Sequence, residues 1–228
     1  MIKCAIMQPT YLPWPGYFNL VAQVDVFVFL DDAQFQKNSW HNRNRILVDH
    51  CPYWITAPVN HKALSQTINK SLFDDNQNWK QKHVKLLRHT YSKHPFSHDI
   101  LPVCDIIENY NSQSLADLNV SLIKWIMMKL DIKTECFLSS ELNISGKRTE
   151  RIINILKKLN ADVYLSPQGA AEYLDLDDFS IHTTTKLTFQ SFEHKVYKQY
   201  RQDKFESHLS IVDVVANIGW ENTKKYIT

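Results

Sequence analysis

Residues 1–46 read MIKCAIMQPTYLPWPGYFNLVAQVDVFVFLDDAQFQKNSWHNRNRI, and the order of apolar runs and breakers in this stretch decides the fold. Residues 2–7 are an apolar run long enough for a buried strand and too short for a helix. Pro9, Pro13, Pro15 and Gly16 follow, so the chain leaves that strand as a fixed loop from Gln8 to Phe18. Residues 17–23 read as a short helix. Asp25-Val26-Phe27-Val28-Phe29-Leu30 is a second buried strand ending at Asp31-Asp32. Strand, loop, helix and strand make one βαβ unit, normally parallel and right-handed. In such sheets ligands lie beyond the carboxyl ends of the strands. The loop from the first strand and the polar run 34–45 from the second reach the same edge, which is the expected site.

Outward from this unit, Ile46-Leu47-Val48 and Tyr53-Trp54-Ile55-Thr56 predict a hairpin turning at Asp49-His50-Cys51-Pro52. Residues 60–78 are polar and irregular, with a short edge strand expected at 67–72. Helices are predicted over 79–91, 100–109 and 114–130, the last strongly amphipathic. They form a helical insertion, residues 79–130, that is either a subdomain or a cover for one sheet face. A strand at 135–138, a helix after Ser145-Gly146-Lys147-Arg148-Thr149, a strand at 162–166 and a loop entering one helical turn at 167–174 give a second strand–loop–helix unit. Residues 185–192 alternate like an edge strand, and residues 205–219 form a helix stopped by Gly219. The expectation is an α/β fold: a three-layer, parallel-rich sheet in a single domain over residues 1–228.

The 228 residues carry a formal net charge of +2 and 44% hydrophobic side chains. That is enough apolar surface for a sizeable core, and so balanced a charge argues for neither nucleic acid nor membrane as a partner. No stretch approaches the roughly 20 apolar residues that span a bilayer, and no signal peptide is read, so a cytoplasmic location is expected. Cys4, Cys51, Cys104 and Cys136 have no CxxC spacing and read as free thiols of a reducing compartment. No metal or other cofactor is expected. Oligomeric state is open, with a homodimer admissible.

Several residues near the strand edge carry candidate chemistry. Tyr11, Trp14, Tyr17 and Trp40 suit stacking on a sugar ring or a base, against the alternative that some only cap the core. Asn42 and Asn44 offer fixed donors beside Gln8. Arg43 or Arg45 suits a diphosphate, against an ordinary surface ion pair. Asp32 is the candidate general base, with Asp31 read as a strand-end cap. Lys37 could neutralise an oxyanion, and His41 is the reserve proton carrier. Lys147 and Arg148 open a helix where backbone amides could hold a phosphate, although no Walker glycine precedes them. Ser166 and Tyr173 approach the same edge from the second unit. No G-x-S-x-G elbow supports a serine nucleophile.

Gln8 through Phe18, then Asp32, Lys37 and Ser39-Trp40-His41-Asn42-Arg43-Asn44, resemble the WbqC-like protein family. So do Tyr164-Leu165-Ser166 with Tyr173-Leu174, and Leu209-Ser210-Ile211-Val212-Asp213 with Asn217-Ile218-Gly219. The resemblance covers nearly the whole chain. One departure is Pro167, where the family pattern has glycine. The resemblance implies a bacterial enzyme of O-antigen or other surface-polysaccharide synthesis. Such an enzyme would transfer an aminoacyl (glycyl) or acyl group to the amino group of a nucleotide-linked amino sugar. Its substrates would be a nucleotide-diphosphate sugar and an acyl or aminoacyl donor. The alternatives are a non-catalytic nucleotide-sugar binding protein and a nucleotidyl transferase with the HIGH-type fold; the His-x-Gly-His signature of the latter is absent.

Overall fold

The computed structural model describes residues 1–60, 63, 65–167, 169 and 179–228. Its centre is a five-stranded parallel sheet in the order β7-β2-β1-β8-β9. The strands are β1 (Lys3–Met7), β2 (Val26–Phe29), β7 (Glu135–Leu138), β8 (Val163–Ser166) and β9 (Lys186–Phe189). Helix α1 (Pro15–Ala22) joins β1 to β2. It begins two residues earlier than expected because Pro15 sits at its first turn, where a missing N–H leaves nothing unpaired.

Alternation along the strands makes the three layers. Ala5, Phe27 and Phe29 face a cluster with α1, while Cys4, Ile6, Val26 and Val28 face Ile152, Ile153, Ile155 and Leu156 of α5 (Arg148–Lys158). Tyr17 meets Phe27 edge-on at 5.6 Å, and Phe27 meets Phe29 likewise at 5.1 Å. Helices α2 (Trp79–Tyr91), α3 (Leu101–Asn109) and α4 (Leu115–Lys129) contribute Leu87, Ile107, Leu118 and Leu122 to the cluster on the α1 side. Ser114 caps α4, its hydroxyl accepting from the Asp117 amide at 3.3 Å.

Several further boundaries differ from the expectation. The hairpin strands are β3 (Arg43–Val48) and β4 (Cys51–Thr56), so Arg43-Asn44-Arg45 are strand and not loop. The turn is only Asp49-His50, with φ of 45° and 70°, which fits the right-handed twist of the strands. The carboxy-terminal helix α6 (Ile211–Ile227) starts after residue 205 and continues past Gly219, where φ 74° and ψ 169° put a kink rather than a stop. In the expected edge segment 67–72, the structure has a 3-10 turn, Ile68–Lys70, and a two-residue strand β6 (Leu72–Phe73) paired with β5 (Val59–Asn60). All four cysteines are free, Cys51 exposed. Among the described residues no helix is long and apolar enough to cross a membrane.

The strand order reverses direction at β1: β2 and β7 are added on one side, β8 and β9 on the other. The carboxyl ends of β1 and β8 therefore flank a switch point, where a doubly wound sheet opens a crevice.

Candidate functional site

A cavity of about 570 Å³ occupies this crevice. Met7, Gln8, Thr10 and Trp14 line it from the exit of β1, Leu30, Gln36, Ser39, Trp40 and His41 from beyond β2, and Asn44 from β3. Pro167 and Gly169 line it beyond β8, and Gln190 and Phe192 beyond β9. His208 precedes α6, and Ile152 lies on α5. Its size is that of a small-molecule site. None of these described lining residues is Lys, Arg, Asp or Glu.

The proline-rich loop is clamped from three directions. Asn44 Nδ2 donates to the carbonyls of Tyr11 and Leu12 at 3.3 and 2.7 Å. Ser210 Oγ donates to the Leu12 carbonyl at 2.8 Å. Asn119 Nδ2 donates to the carbonyls of Pro9 and His41 at 3.1 and 2.8 Å, tying the two lining loops together. Leu12 has φ 45°, a conformation a leucine keeps only when its surroundings hold it there. On this support the Trp14 ring lies across Gly16, where a Cβ would stand 2.0 Å from it. Trp14 also meets Phe192 edge-on at 5.5 Å and His194 at 5.4 Å, so the wall is aromatic from the first loop to the segment after β9.

His41 is the titratable group most defined by its surroundings. It is 7% exposed, and burial lowers its pKa to about 4. Its Nδ1 accepts from the Gln36 backbone N–H at 3.3 Å. The neutral ring therefore carries its proton on Nε2, and no described residue bonds that atom. Thr10 is 6% exposed, and its Oγ1 has no hydrogen-bond partner among the described residues. A buried hydroxyl without a partner is costly unless a ligand or water satisfies it.

Here the comparisons with known proteins decide the identity, since the model of the WbqC-like protein family matches residues 8–225. The chain belongs to the WbqC-like protein family. It is also 34% identical to an uncharacterized protein of Mycobacterium tuberculosis over 228 residues, covering 97% of this chain and 96% of that protein. No solved structure matches it.

In this WbqC-like chain the structure separates the candidate residues. Gln8, Trp14, His41 and Asn44 line the cavity together. Tyr11 and Tyr17 do not: both are fully buried, Tyr11 Oη 2.9 Å from His83 Nδ1 and Tyr17 Oη donating to the Gln8 carbonyl at 3.2 Å. Their place in a proline-rich loop gave no sign of which way each ring turns. Asn42 is buried and donates to the Ala57 carbonyl at 2.8 Å. Asp32 lies outside the lining, its carboxylate paired with Arg151 and 2.6 Å from Ser139 Oγ. Arg151 stands on α5, so this partner was invisible to any local reading. Asp31 is also bound, by Ser140 N–H at 3.0 Å and Ser140 Oγ at 2.6 Å. Lys37, Lys147 and Arg148 are exposed and outside the lining. Arg43 is also outside it, stacked on Trp54. Ser166 is fully buried with its hydroxyl on the Pro167 carbonyl, and Tyr173 lies outside the described residues.

Sequence reasoning placed Thr10, Gln36 and Ser39 in the expected site segments without singling them out, and missed Gln190, Phe192 and His208 as cavity residues. Gln190 and Phe192 follow from the same carboxyl-end rule once β9 is known to run parallel to β8. The signal was the alternation of residues 185–192, which marks a strand but not its direction.

Proposed function

We propose that the chain is an enzyme of surface-polysaccharide synthesis that transfers an aminoacyl, such as glycyl, or other acyl group to the amino group of a nucleotide-linked amino sugar. The supporting observation is the uncharged, aromatic-walled cavity at the sheet's switch point, with an unbonded His41 Nε2–H in its wall. The sugar ring packs against Trp14 and Trp40, as amphipathic rings do on aromatic faces. The acceptor nitrogen attacks the carbonyl carbon of an activated donor. The N–C bond forms, the bond to the donor's carrier breaks, and the amine's proton leaves with that carrier. His41 Nε2–H donates to the carbonyl oxygen as it gains negative charge. Asp32, already paired with Arg151, takes no part.

The purified protein incubated with nucleotide-linked amino sugars and a set of acyl thioester and activated aminoacyl donors is expected to yield a sugar heavier by the acyl group, read by mass spectrometry. His41→Ala is expected to lower the rate by about 100-fold or more. A folded protein that yields no acylated sugar with any of these pairs rejects the transfer.

One observation favours a second reading, a nucleotide-sugar binding protein without catalysis. The described wall holds no free carboxylate, no cation and no cysteine. Ligand binding without turnover of any donor would be its signature.

A further inference from the structure

We propose that the Arg43 guanidinium, laid on Trp54 beside the cavity mouth, binds the diphosphate of a nucleotide-linked substrate. Arg43 and Arg45 alternate onto one face of β3, with Trp54 paired to Arg45 on β4. Trp54 is 40% exposed. The Arg43 guanidinium carbon stands 4.1 Å from the Trp54 ring centre, close enough for a cation–π contact, while that of Arg45 is at 6.0 Å.

The two arginines differ in what occupies their donors. Arg45 Nη2 donates to the Ser207 and His208 carbonyls at 3.3 and 3.1 Å, and its Nη1 lies 4.0 Å from Glu206. The Arg43 side chain forms no hydrogen bond or ion pair with any described residue, and its Nε is buried without a partner. Contact with the ring holds the guanidinium in place but satisfies none of its N–H donors. An arginine held in this way with unpaired Nη groups matches the paired oxygens of a phosphate.

Position supplies the second argument. Trp40 lines the cavity, is 44% exposed, and its ring centre is 5.1 Å from that of Trp54. A continuous aromatic path thus runs from the cavity wall to the free cation. Inside, the described wall offers no charge to balance a diphosphate. Desolvating such an anion there without a counter-ion is prohibitive. The charged part of the substrate belongs outside, on the cation that this aromatic path reaches. Lys147 and Arg148, at the start of α5, are not joined to this path.

The location of the sugar in the cavity rests on the transferase reading; the role of Arg43 does not, because a nucleoside diphosphate without sugar tests it. Calorimetric titration of the full chain with uridine diphosphate is expected to show binding that weakens from 0.05 to 0.5 M salt. Arg43→Gln should weaken it at least tenfold and Trp54→Leu severalfold, with Lys147→Gln within twofold. Should Arg43→Gln fail to fold by near-ultraviolet circular dichroism, Arg43→Lys, which keeps the charge and loses the fork, should weaken binding severalfold. No binding by folded wild-type protein overturns the assignment, as does wild-type affinity in a folded Arg43 or Trp54 variant or a larger loss in Lys147→Gln. Glucosamine titrated separately reports on the cavity: its failure to bind beside intact uridine diphosphate binding rejects the sugar's placement and leaves Arg43 assigned.

Discussion

His41 has two ring nitrogens with different duties. Nδ1 is taken by the Gln36 amide, and Nε2 carries a proton that no described neighbour uses. With burial holding the pKa near 4, the ring stays neutral across ordinary pH, and in the proposed transfer it serves as a donor. Acyl transfer should therefore show no inflection between pH 5.5 and 8 that His41→Gln abolishes. His41→Gln, whose side-chain amide can still donate, should retain more activity than His41→Ala. An inflection near 6.5 present in wild type and absent from His41→Gln would reject the donor role. None of this was legible in the sequence, because tautomer and burial depend on where Gln36 points its N–H and on what covers the ring. Asp32 teaches the same lesson: an acid at a strand end is recognisable, but its partner Arg151 lies over a hundred positions away.

At the scale of elements, local signals read well. The apolar runs of β1 and β2 and the prolines between them set the first βαβ unit, and the carboxyl-end rule then located the cavity. Reading failed where a distant contact overrides local character. Arg43-Asn44-Arg45 looks like loop, yet Asn44 is buried in a strand because its amide satisfies two loop carbonyls. Gly219 looks like a helix stop, yet α6 goes on beyond it because Tyr226 and Ile227 are core residues. The backbone at Gly219 adopts a conformation essentially restricted to glycine, and an added Cβ would lie 2.7 Å from the Phe96 ring. Gly219→Ala should destabilise the protein by about 2–4 kcal/mol in a urea titration. Phe96→Ala in that background should recover the steric part and leave about 1–3 kcal/mol of backbone strain. An additive double mutant would show that the ring is not the obstacle.

For the whole molecule, the titratable interior sets a pH dependence. Burial lowers His41, His83 and His94 to about 4, and burial together with the charges of His208 and Arg45 brings His194 to about 4 as well. Between about 6.5 and 4 the unfolded chain binds protons that these native histidines refuse, so stability falls with falling pH. His41 and His83, the most enclosed, each give a slope approaching about 1.4 kcal/mol per pH unit in that window. Asp213 acts oppositely: burial raises it to about 6, so the native state holds a proton that the unfolded state releases above 3.8. The histidines outnumber it, and the thermal midpoint should drop steadily from pH 7 to 5. A midpoint that rises over this range would contradict the burial pattern. Composition alone announced only scattered histidines; their enclosure is a property of the assembled layers.

Position 16 shows how far a missing atom can reach. A methyl group there would suit the first turn of the helix it sits in, since alanine favours that state over glycine, yet it would occupy the space where the indole of residue 14 now rests. The ring would have to swing away, taking one side of the chamber with it. Backbone economy and chamber shape thus make opposite demands on a single site, and this chain has settled the conflict in favour of the chamber.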